Sequence, residues 1–201
     1  MAVNIKSAEF EISAPDLRSC PKFPRPEFAF IGRSNVGKSS LVNMLTQKKD
    51  LAKASDSPGK TKLINFFLIN KAWYLVDLPG YGFAKVGHKD RADFNRAVAD
   101  YLEKRKNISC VFALIDSRLP PQKIDLQFLQ WLSETPAPFA IIFTKVDKQS
   151  KTQTESNVAQ FRATLSEVWS DLPPMFYSSA ETRVGRSEIL KFIDEMLSAQ
   201  R

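Results

Sequence analysis

The chain has 201 residues, of which 43% are hydrophobic and 25% are charged, and its formal net charge is +7. This composition is ordinary for a globular protein and excludes intrinsically disordered, collagen-like and disulfide-rich chains. The two cysteines, Cys20 and Cys110, and the one histidine, His88, are too few and too scattered for structural zinc, which takes about four ligands. The positive balance permits a nucleic-acid partner, although a solvated charged surface explains it equally well.

The length predicts one domain over residues 1–201, because a typical domain has about 150 residues. Residues 1–27 are expected to form an N-terminal strand and a proline-rich crossing segment. The beginning of the chain lacks the apolar stretch of a signal peptide, and no segment approaches the roughly 18 apolar residues of a membrane span. We therefore expect a cytoplasmic protein, and a monomer.

Seven short segments are typical of β-strands, because they are apolar or alternate apolar with polar residues. In chain order they are residues 8–12, 28–31, 63–69, 73–78, 109–115, 139–143 and 175–177. Between them, apolar residues recur at helical spacing in stripes that we interpret as core: Phe94, Val98 and Tyr101; Ile124, Phe128 and Trp131; Phe161, Leu165 and Val168; and Ile189, Phe192, Ile193 and Met196. This alternation predicts an α/β fold with a mostly parallel sheet flanked by helices on both faces. The three-residue link 70–72 allows only a hairpin, so the sheet should be mixed.

The segment after the second predicted strand matches the phosphate-binding pattern GxxxxGK[ST] in full. Its glycines let successive backbone N–H groups point at phosphate oxygens, beside a helix N-terminus. In such a motif Lys38 reaches the β- and γ-phosphates, and the Ser39 hydroxyl binds Mg²⁺. The sequence therefore predicts a P-loop nucleotide site over Gly32, Arg33, Ser34, Asn35, Val36, Gly37, Lys38, Ser39 and the following Ser40.

A second motif, Asp77-Leu78-Pro79-Gly80, ends the predicted strand 73–78. An aspartate at this point is expected to hold Mg²⁺ through its bound water. Gly80 has no side chain to obstruct the approach of its N–H to the γ-phosphate. The motif alone is weak, but its distance from the P-loop and its place on a strand favour the metal-binding interpretation.

Between these two motifs lies a segment with the pattern of a switch loop, which contains Gly59, Lys60 and Thr61. Thr61 is expected to complete the Mg²⁺ coordination when a γ-phosphate is present, and Ser57 is its competitor. Lysines flank the segment and form either a solvated loop or an edge that attracts phosphate or RNA. With Lys38 and Gly80, Thr61 completes the predicted catalytic set.

A third motif predicts the base that is bound. Thr144, Lys145, Val146 and Asp147 follow the strand 139–143. A carboxylate can accept both N1–H and N2–H of guanine, a pair of donors that adenine lacks. The aliphatic part of Lys145 can lie over the base plane. Backbone N–H groups at the end of the last strand are expected to bind guanine O6, in the segment Ser178, Ser179 and Ala180.

Together these motifs resemble the translation-factor-like branch of P-loop GTPases and, in particular, the bacterial EngB (YihA/YsxC) family. The sequence Asp77-Leu78-Pro79-Gly80-Tyr81-Gly82 followed by a basic segment is a specific mark of that family, and the resemblance covers residues 6–198. It implies a P-loop GTPase fold and a Mg²⁺-dependent GTPase that takes part in assembly of the large (50S) ribosomal subunit. It also implies a requirement for normal cell division and septation.

Tyr81 stands where Ras-like GTPases have a glutamine that orients the attacking water. The chain thus resembles GTPases with a hydrophobic residue at this position. In some of those relatives an asparagine at the position of Asn35 helps to bind K⁺, which replaces the charge of an arginine finger. Without such a charge the intrinsic turnover should be slow. The direction of the Arg33 side chain is open at this point.

Two other functions compete with this interpretation. A P-loop small-molecule kinase would have an arginine-rich lid and no TKxD motif, so the segment 144–147 argues against it. A GTP-dependent binding protein of the division or membrane machinery, with negligible catalysis, is the remaining alternative. For a ribosomal partner, we predict an RNA contact on the basic segment after Gly80, which contains Lys85, His88, Lys89, Arg91 and Arg96.

Overall fold

The computed structural model describes residues 3–52, 63–81 and 88–199, and of residues 88–95 the backbone only. The strands lie at the predicted positions: β1 (Ala8–Ala14), β2 (Glu27–Gly32), β3 (Ile64–Ile69), β4 (Trp73–Asp77), β5 (Ile108–Asp116), β6 (Phe139–Thr144) and β7 (Met175–Tyr177). The helices are α1 (Lys38–Thr46), α2 (His88–Lys104), α3 (Lys123–Ser133), α4 (Lys151–Ser166) and α5 (Arg186–Ser198). In the described part of the chain, none of the helices combines the length and the apolar character that crossing a membrane requires.

These strands form one sheet in the order β1-β3-β4-β2-β5-β6-β7. β3 is antiparallel to both β1 and β4, and its link to β4 is the predicted hairpin. The strands from β4 to β7 are parallel to one another. The mixed α/β sheet is therefore confirmed, whereas the interpretation of residues 1–201 as one domain stays a prediction. Because β2 has a later strand on each side, its carboxyl end lies at the switch point where α/β sheets bind ligands.

The central strand β2 is buried along its whole length and shows how the sheet is covered on both faces. Side chains alternate along a strand, so Ala29 and Ile31 point into one apolar core and Phe28 and Phe30 into the other. Residues of α2, α3 and α4 close the first core, and residues of α1 and α5 close the second. Helices on both faces of the sheet are thus confirmed.

Two of the predicted apolar stripes contain residues that are not buried in the core. In α3, Ile124 is exposed and Phe128 is only partly buried. The helix is turned so that its buried residues are Asp125, Leu129 and Leu132. The reason is the buried carboxylate of Asp125, which has polar partners on the inner side of the helix. Val168 lies beyond the end of α4 and is 69% exposed, so its assignment to the core is wrong.

Glu27, at the amino end of β2, is fully buried and fastens the end of α2. Its carboxylate accepts hydrogen bonds from the Tyr101 hydroxyl at 2.7 Å and from Arg105 Nε at 3.0 Å. Arg105 also donates a hydrogen bond to the carbonyl of Pro21 at 2.7 Å. This Tyr–carboxylate–Arg cluster ties α2 and the proline-rich segment to the start of the sheet.

Candidate functional site

The predicted P-loop connects the carboxyl end of β2 to α1. Two of its residues have left-handed backbone conformations, with φ of 60° at Asn35 and 105° at Gly37. Such values turn the chain sharply and favour glycine at position 37. Gly37 is the N-cap of α1 and has no side chain to cap the first turn. The site therefore joins a wound loop to a helix N-terminus, an arrangement that binds anions.

The segment after β4 lies directly on the P-loop. Leu78 N–H donates to the Phe30 carbonyl at 3.0 Å, which extends the pairing of β4 with β2. A Cβ atom added to Gly80 would come within 2.7 Å of the Gly32 carbonyl oxygen and 3.3 Å of the Ser34 nitrogen. Only glycine fits at position 80, because the contacts are with backbone atoms that cannot move independently. Leu78, Pro79 and Gly80 are all buried.

The ammonium group of Lys38 and the carboxylate of Asp77 form an ion pair between these two segments. Asp77 ends β4, and its buried carboxylate is a hard oxygen ligand of the kind that Mg²⁺ prefers. Lys38 and Ser39 begin α1. Because Mg²⁺ is usually held by one or two protein oxygens together with substrate phosphates, Ser39 and Asp77 are a fitting donor set.

A cleft of about 620 Å³ opens beside the P-loop. Residues of the third motif line it and are bonded to the P-loop: the Thr144 hydroxyl donates to the Val36 carbonyl at 2.6 Å, and Lys145 Nζ donates to the Asn35 carbonyl at 2.6 Å. The predicted base-binding residues are therefore connected to the phosphate-binding loop. The residues that line the cleft include Gly37, Ser40, Thr144, Lys145, Asp147, Ser178 and Ala180.

Asp147 lies in the short 3₁₀ turn after β6 and faces this cleft. A hydrogen bond with Ser179 is the main cause that lowers the pKa of the Asp147 carboxyl, and Lys148 lowers it further from 3.1 Å. The carboxylate is thus ionised at neutral pH and can accept two N–H groups of a base. Lys148 also pairs with Glu181.

The fold itself uses two of the three backbone N–H groups predicted to bind guanine O6. Ser178 N–H donates to the Phe143 carbonyl at 2.8 Å, and Ser179 N–H donates to the Val184 carbonyl at 3.2 Å. Within the described residues, Ala180 N–H has no such acceptor. Ser178 also accepts from Val146 N–H at 3.3 Å. The two serines therefore shape the loop, and Ala180 is the donor that can face a base.

Asp116, at the end of β5, is a site residue that the sequence analysis missed. Its carboxylate accepts Lys145 Nζ at 3.0 Å and Arg118 Nη2 at 2.7 Å. Burial raises the pKa of Asp116, but the hydrogen bonds from Arg118 and Lys145 outweigh it and bring the pKa to about 2. Asp116 therefore fixes the ammonium end of Lys145, the lysine that is predicted to cover the base. The only signal in the sequence is its place at a strand end beside the P-loop.

Arg33 and Tyr81 both turn toward α3. The Tyr81 hydroxyl donates to Asp125 Oδ1 at 2.9 Å, and Arg33 Nε lies 3.0 Å from the same oxygen. The Tyr81 ring stacks on Phe128 with the centroids 4.1 Å apart. Burial, and then the charge of Asp125, raise the pKa of Tyr81 well above its usual value. The side chains of Arg33 and Tyr81 are thus bound to α3, which answers the question of direction that the sequence left open.

Asp125 was also missed, because its position in the first turn of a helix suggests an ordinary exposed acid. It is instead 1% exposed, and burial raises its pKa. Three predicted site residues, Gly59, Lys60 and Thr61, lie outside the described residues, as does Lys85.

Known proteins with similar sequences and folds are GTP-binding proteins. The family described as "50S ribosome-binding GTPase" matches residues 27–145. The chain is similar to the GTP-binding protein EngB of Bacteroides thetaiotaomicron, with 54% identity over 96% of each chain, and to that of Porphyromonas gingivalis, with 52% identity over 96% of each. A crystal structure of an EngB GTP-binding protein matches with 26% identity and a TM-score of 0.65, over 86% of this chain and 99% of that one.

The fold is also similar to that of Era, a protein crystallised with MgGDPNP and nucleotides 1506–1542 of 16S ribosomal RNA. That match has a TM-score of 0.68 and 19% identity, over 85% of this chain and 56% of Era. At this identity it shows the fold alone. The family match and the curated relatives together establish the relationship: the chain belongs to the EngB family of GTP-binding proteins, and it is a P-loop GTPase that converts GTP to GDP and phosphate.

Proposed function

We propose that GTP binds with its phosphates on the loop from Gly32 to Ser40 and its base in the cleft beside Asp147. The observation that supports this most strongly is the continuity of the two halves. Lys145 donates to the Asn35 carbonyl, and Thr144 donates to the Val36 carbonyl, so the base cleft opens directly onto the P-loop. The distance between base and phosphates is thereby fixed by hydrogen bonds within the protein.

In the phosphate half, Lys38 would exchange the Asp77 carboxylate for the β- and γ-phosphates. Asp77 and Ser39 would then hold Mg²⁺, Asp77 through a bound water, and Thr61 would complete the set when a γ-phosphate is present. Bound Mg²⁺ neutralises charge that develops on the phosphates during hydrolysis. Gly80 would bring its N–H to the γ-phosphate, and Gly59 and Lys60 would border it.

In the base half, Asp147 would accept the two N–H donors of guanine, and Ala180 N–H would donate to O6. The methylene groups of Lys145 would cover one face of the base while Asp116 holds its ammonium group. In adenine, N1 is an acceptor, C2 carries no amino group and the group at C6 is a donor. Adenine therefore offers Asp147 no pair of N–H donors. Buried groups left unpaired in this way discriminate strongly against the wrong substrate.

Hydrolysis also needs positive charge near the γ-phosphate, and Arg33 is an unsuitable source because Asp125 binds it. Asn35 is exposed at the P-loop, and its carbonyl already accepts Lys145. We therefore assign its side-chain amide to a bound K⁺, as the resemblance to relatives with an asparagine at this position implies. Turnover without a partner should be slow, since Tyr81 stands at the position of the glutamine and Arg33 is bound to Asp125.

For the biological role, we propose GTP-controlled binding to the large ribosomal subunit or its precursor during assembly. The description of the matching family as 50S ribosome-binding and the net charge of +7 support this role. The requirement for normal division and septation would then follow from the supply of ribosomes.

Co-sedimentation tests the role. The protein is loaded with a GTP analogue, GDP or no nucleotide and mixed with large-subunit precursors and, separately, with membrane vesicles. We expect it in the ribosomal pellet with the analogue only. Recovery with vesicles and not with ribosomal particles would favour the division or membrane machinery instead.

A further inference from the structure

A single carboxylate oxygen joins the two loops that border the γ-phosphate position. Asp125 Oδ1 accepts the Tyr81 hydroxyl at 2.9 Å and lies 3.0 Å from Arg33 Nε. Arg33 is the second residue of the P-loop, and Tyr81 directly follows Gly80. Asp125 itself is 1% exposed, so solvent does not compete for these bonds. The guanidinium of Arg33, the hydroxyl of Tyr81 and the carboxylate of Asp125 were not assigned any contact with GTP above.

Tyr81 is held at two further points, its backbone and its ring. Its N–H donates to the Gly32 carbonyl at 3.2 Å, and it forms an isolated parallel β-bridge with Arg33. Its ring stacks on Phe128, with an angle of 16° between the planes. A residue fixed through its backbone, ring and hydroxyl leaves its neighbour little freedom. Gly80 is that neighbour, and it lies so close to the P-loop that an added Cβ atom would come within 2.7 Å of the Gly32 carbonyl oxygen.

We infer that Asp125 is a positioning residue for the γ-phosphate, acting through Tyr81 to hold Gly80 against the P-loop. A donor held in advance near its binding position does not have to be ordered when the ligand binds. GDP has no γ-phosphate, so the contribution favours GTP over GDP. This inference rests on the assignment of Gly80 to the γ-phosphate under Proposed function.

The chain contains a matched control for this cluster. At the amino end of β2, the Glu27 carboxylate accepts a tyrosine hydroxyl, from Tyr101, and an arginine Nε, from Arg105. The groups are the same as in the cluster of Asp125, Tyr81 and Arg33, namely a carboxylate, a tyrosine hydroxyl and an arginine. The Glu27 cluster, however, lies at the end of β2 that is opposite to the P-loop. If Asp125 had only a structural role, removing the Tyr81 hydroxyl and removing the Tyr101 hydroxyl would have the same effect on nucleotide binding.

The experiment compares Tyr81→Phe with Tyr101→Phe. Each variant keeps its ring and loses one hydroxyl. We measure dissociation constants for a non-hydrolysable GTP analogue and for GDP, and the free energy of unfolding in urea. A hydrogen bond to a charged group is worth about one decade in affinity, so Tyr81→Phe should bind the analogue about tenfold more weakly. Its GDP affinity should stay within about twofold of wild type, because the Arg33–Asp125 pair is intact.

Tyr101→Phe should lower the unfolding free energy and leave the ratio of the two affinities unchanged. Asp125→Asn should change the ratio in the same direction as Tyr81→Phe. The inference is overturned if Tyr81→Phe leaves the ratio unchanged, weakens both nucleotides equally, or is matched by Tyr101→Phe. A wild-type protein that binds neither nucleotide would instead overturn the proposed site, and the two failures are therefore distinguishable.

Discussion

Lys38, the first residue of α1, and Asp77, the last residue of β4, form an ion pair, and their side chains are only 11% and 6% exposed. Each of the two groups is therefore the partner that keeps the other from being buried as an isolated charge. Under the proposed assignment, phosphate would compete with Asp77 for Lys38, and a metal ion would compete with Lys38 for Asp77. In the proposed complex with Mg·GTP, the phosphates would take the place of Asp77 beside Lys38, and Mg²⁺ with its bound water would take the place of Lys38 beside Asp77.

Replacement of Lys38 by alanine should therefore affect both binding and stability. Tight Mg·GTP binding should be lost. The free energy of unfolding should fall by about 3 kcal/mol, because removing one partner leaves a buried charge uncompensated. Urea denaturation followed by circular dichroism measures it. The double variant Lys38→Ala/Asp77→Ala should regain part of the loss, and a double variant less stable than the single one would contradict the buried pair.

Asp147→Asn should shift the base preference from GTP toward xanthosine triphosphate. The amide keeps one acceptor and gains donors, which suit the carbonyl that xanthine has in place of the guanine amino group. Sites that bind hydrogen-bonding groups discriminate by about 10⁴ or more, so the loss for GTP should be large. Competition binding with the two nucleotides measures it. Asp171→Asn, at the opposite end of the sheet, is the control, and an unchanged preference would mean that Asp147 does not contact the base.

Asp116 predicts a pH dependence of stability. Its folded-state pKa of about 2 lies below its ordinary value of 3.8, so its carboxylate stabilises the fold above about pH 4. That contribution is lost as the pH falls from about 4 through 2. From pH 5 to 7, the free energy of unfolding of Asp116→Asn should be lower than that of wild type by a constant amount of about 2 kcal/mol. This difference should shrink as the pH falls from about 4 to 2. A stability difference for Asp116→Asn that stays unchanged down to pH 2 would refute the assignment.

Turnover should be faster in K⁺ than in Na⁺ at equal ionic strength, because the amide of Asn35 is assigned to a monovalent cation. Asn35→Asp keeps an oxygen at this position and should retain a preference for K⁺, whereas Asn35→Ala should remove it. Phosphate release under single-turnover conditions is the measurement. Identical rates of the wild type in the two salts would restrict Asn35 to a hydrogen-bonding role.

The basic segment after Gly80 stays our prediction for the ribosomal contact. Replacing Lys85, Lys89 and Arg91 by alanine should weaken binding to large-subunit precursors, spare GTP binding and reduce the salt dependence, since fewer counterions are released. The matched control replaces three exposed basic residues on other helices, Lys151, Arg162 and Lys191. If both triple variants bind equally well, the contact lies elsewhere on the protein.

The strands were predictable because the apolar segments, of three to seven residues each, are bounded by turns and are shorter than the roughly 10 residues of a typical helix. The P-loop and the 144–147 motif were predictable because their chemistry demands fixed residue types at fixed spacing. The rotation of α3 was not. Ile124, Phe128 and Asp125 compete for the inner side of the helix, and periodicity favours the two apolar residues. The outcome depends on Arg33 and Tyr81, which reach Asp125 from distant parts of the chain.

Asp116 was hidden for a related reason. An aspartate at a strand end matches many surface turns, and its role depends on two cations, Arg118 and Lys145, one of them 29 positions away. Local patterns reveal groups that contact ligands through a motif. They do not reveal the residues that hold those groups in place.

The hydrogen bonds of Lys145 have a consequence for protein engineering. Lys145 donates to the Asn35 carbonyl in the P-loop and to the Asp116 carboxylate at the end of β5, so the segment assigned to guanine is tied to two neighbouring parts of the chain. Grafting residues 144–147 into a P-loop protein that binds adenine nucleotides would transfer the carboxylate without its supports. A graft that changes base preference would have to include an acid at the end of the neighbouring strand and a left-handed residue in the P-loop.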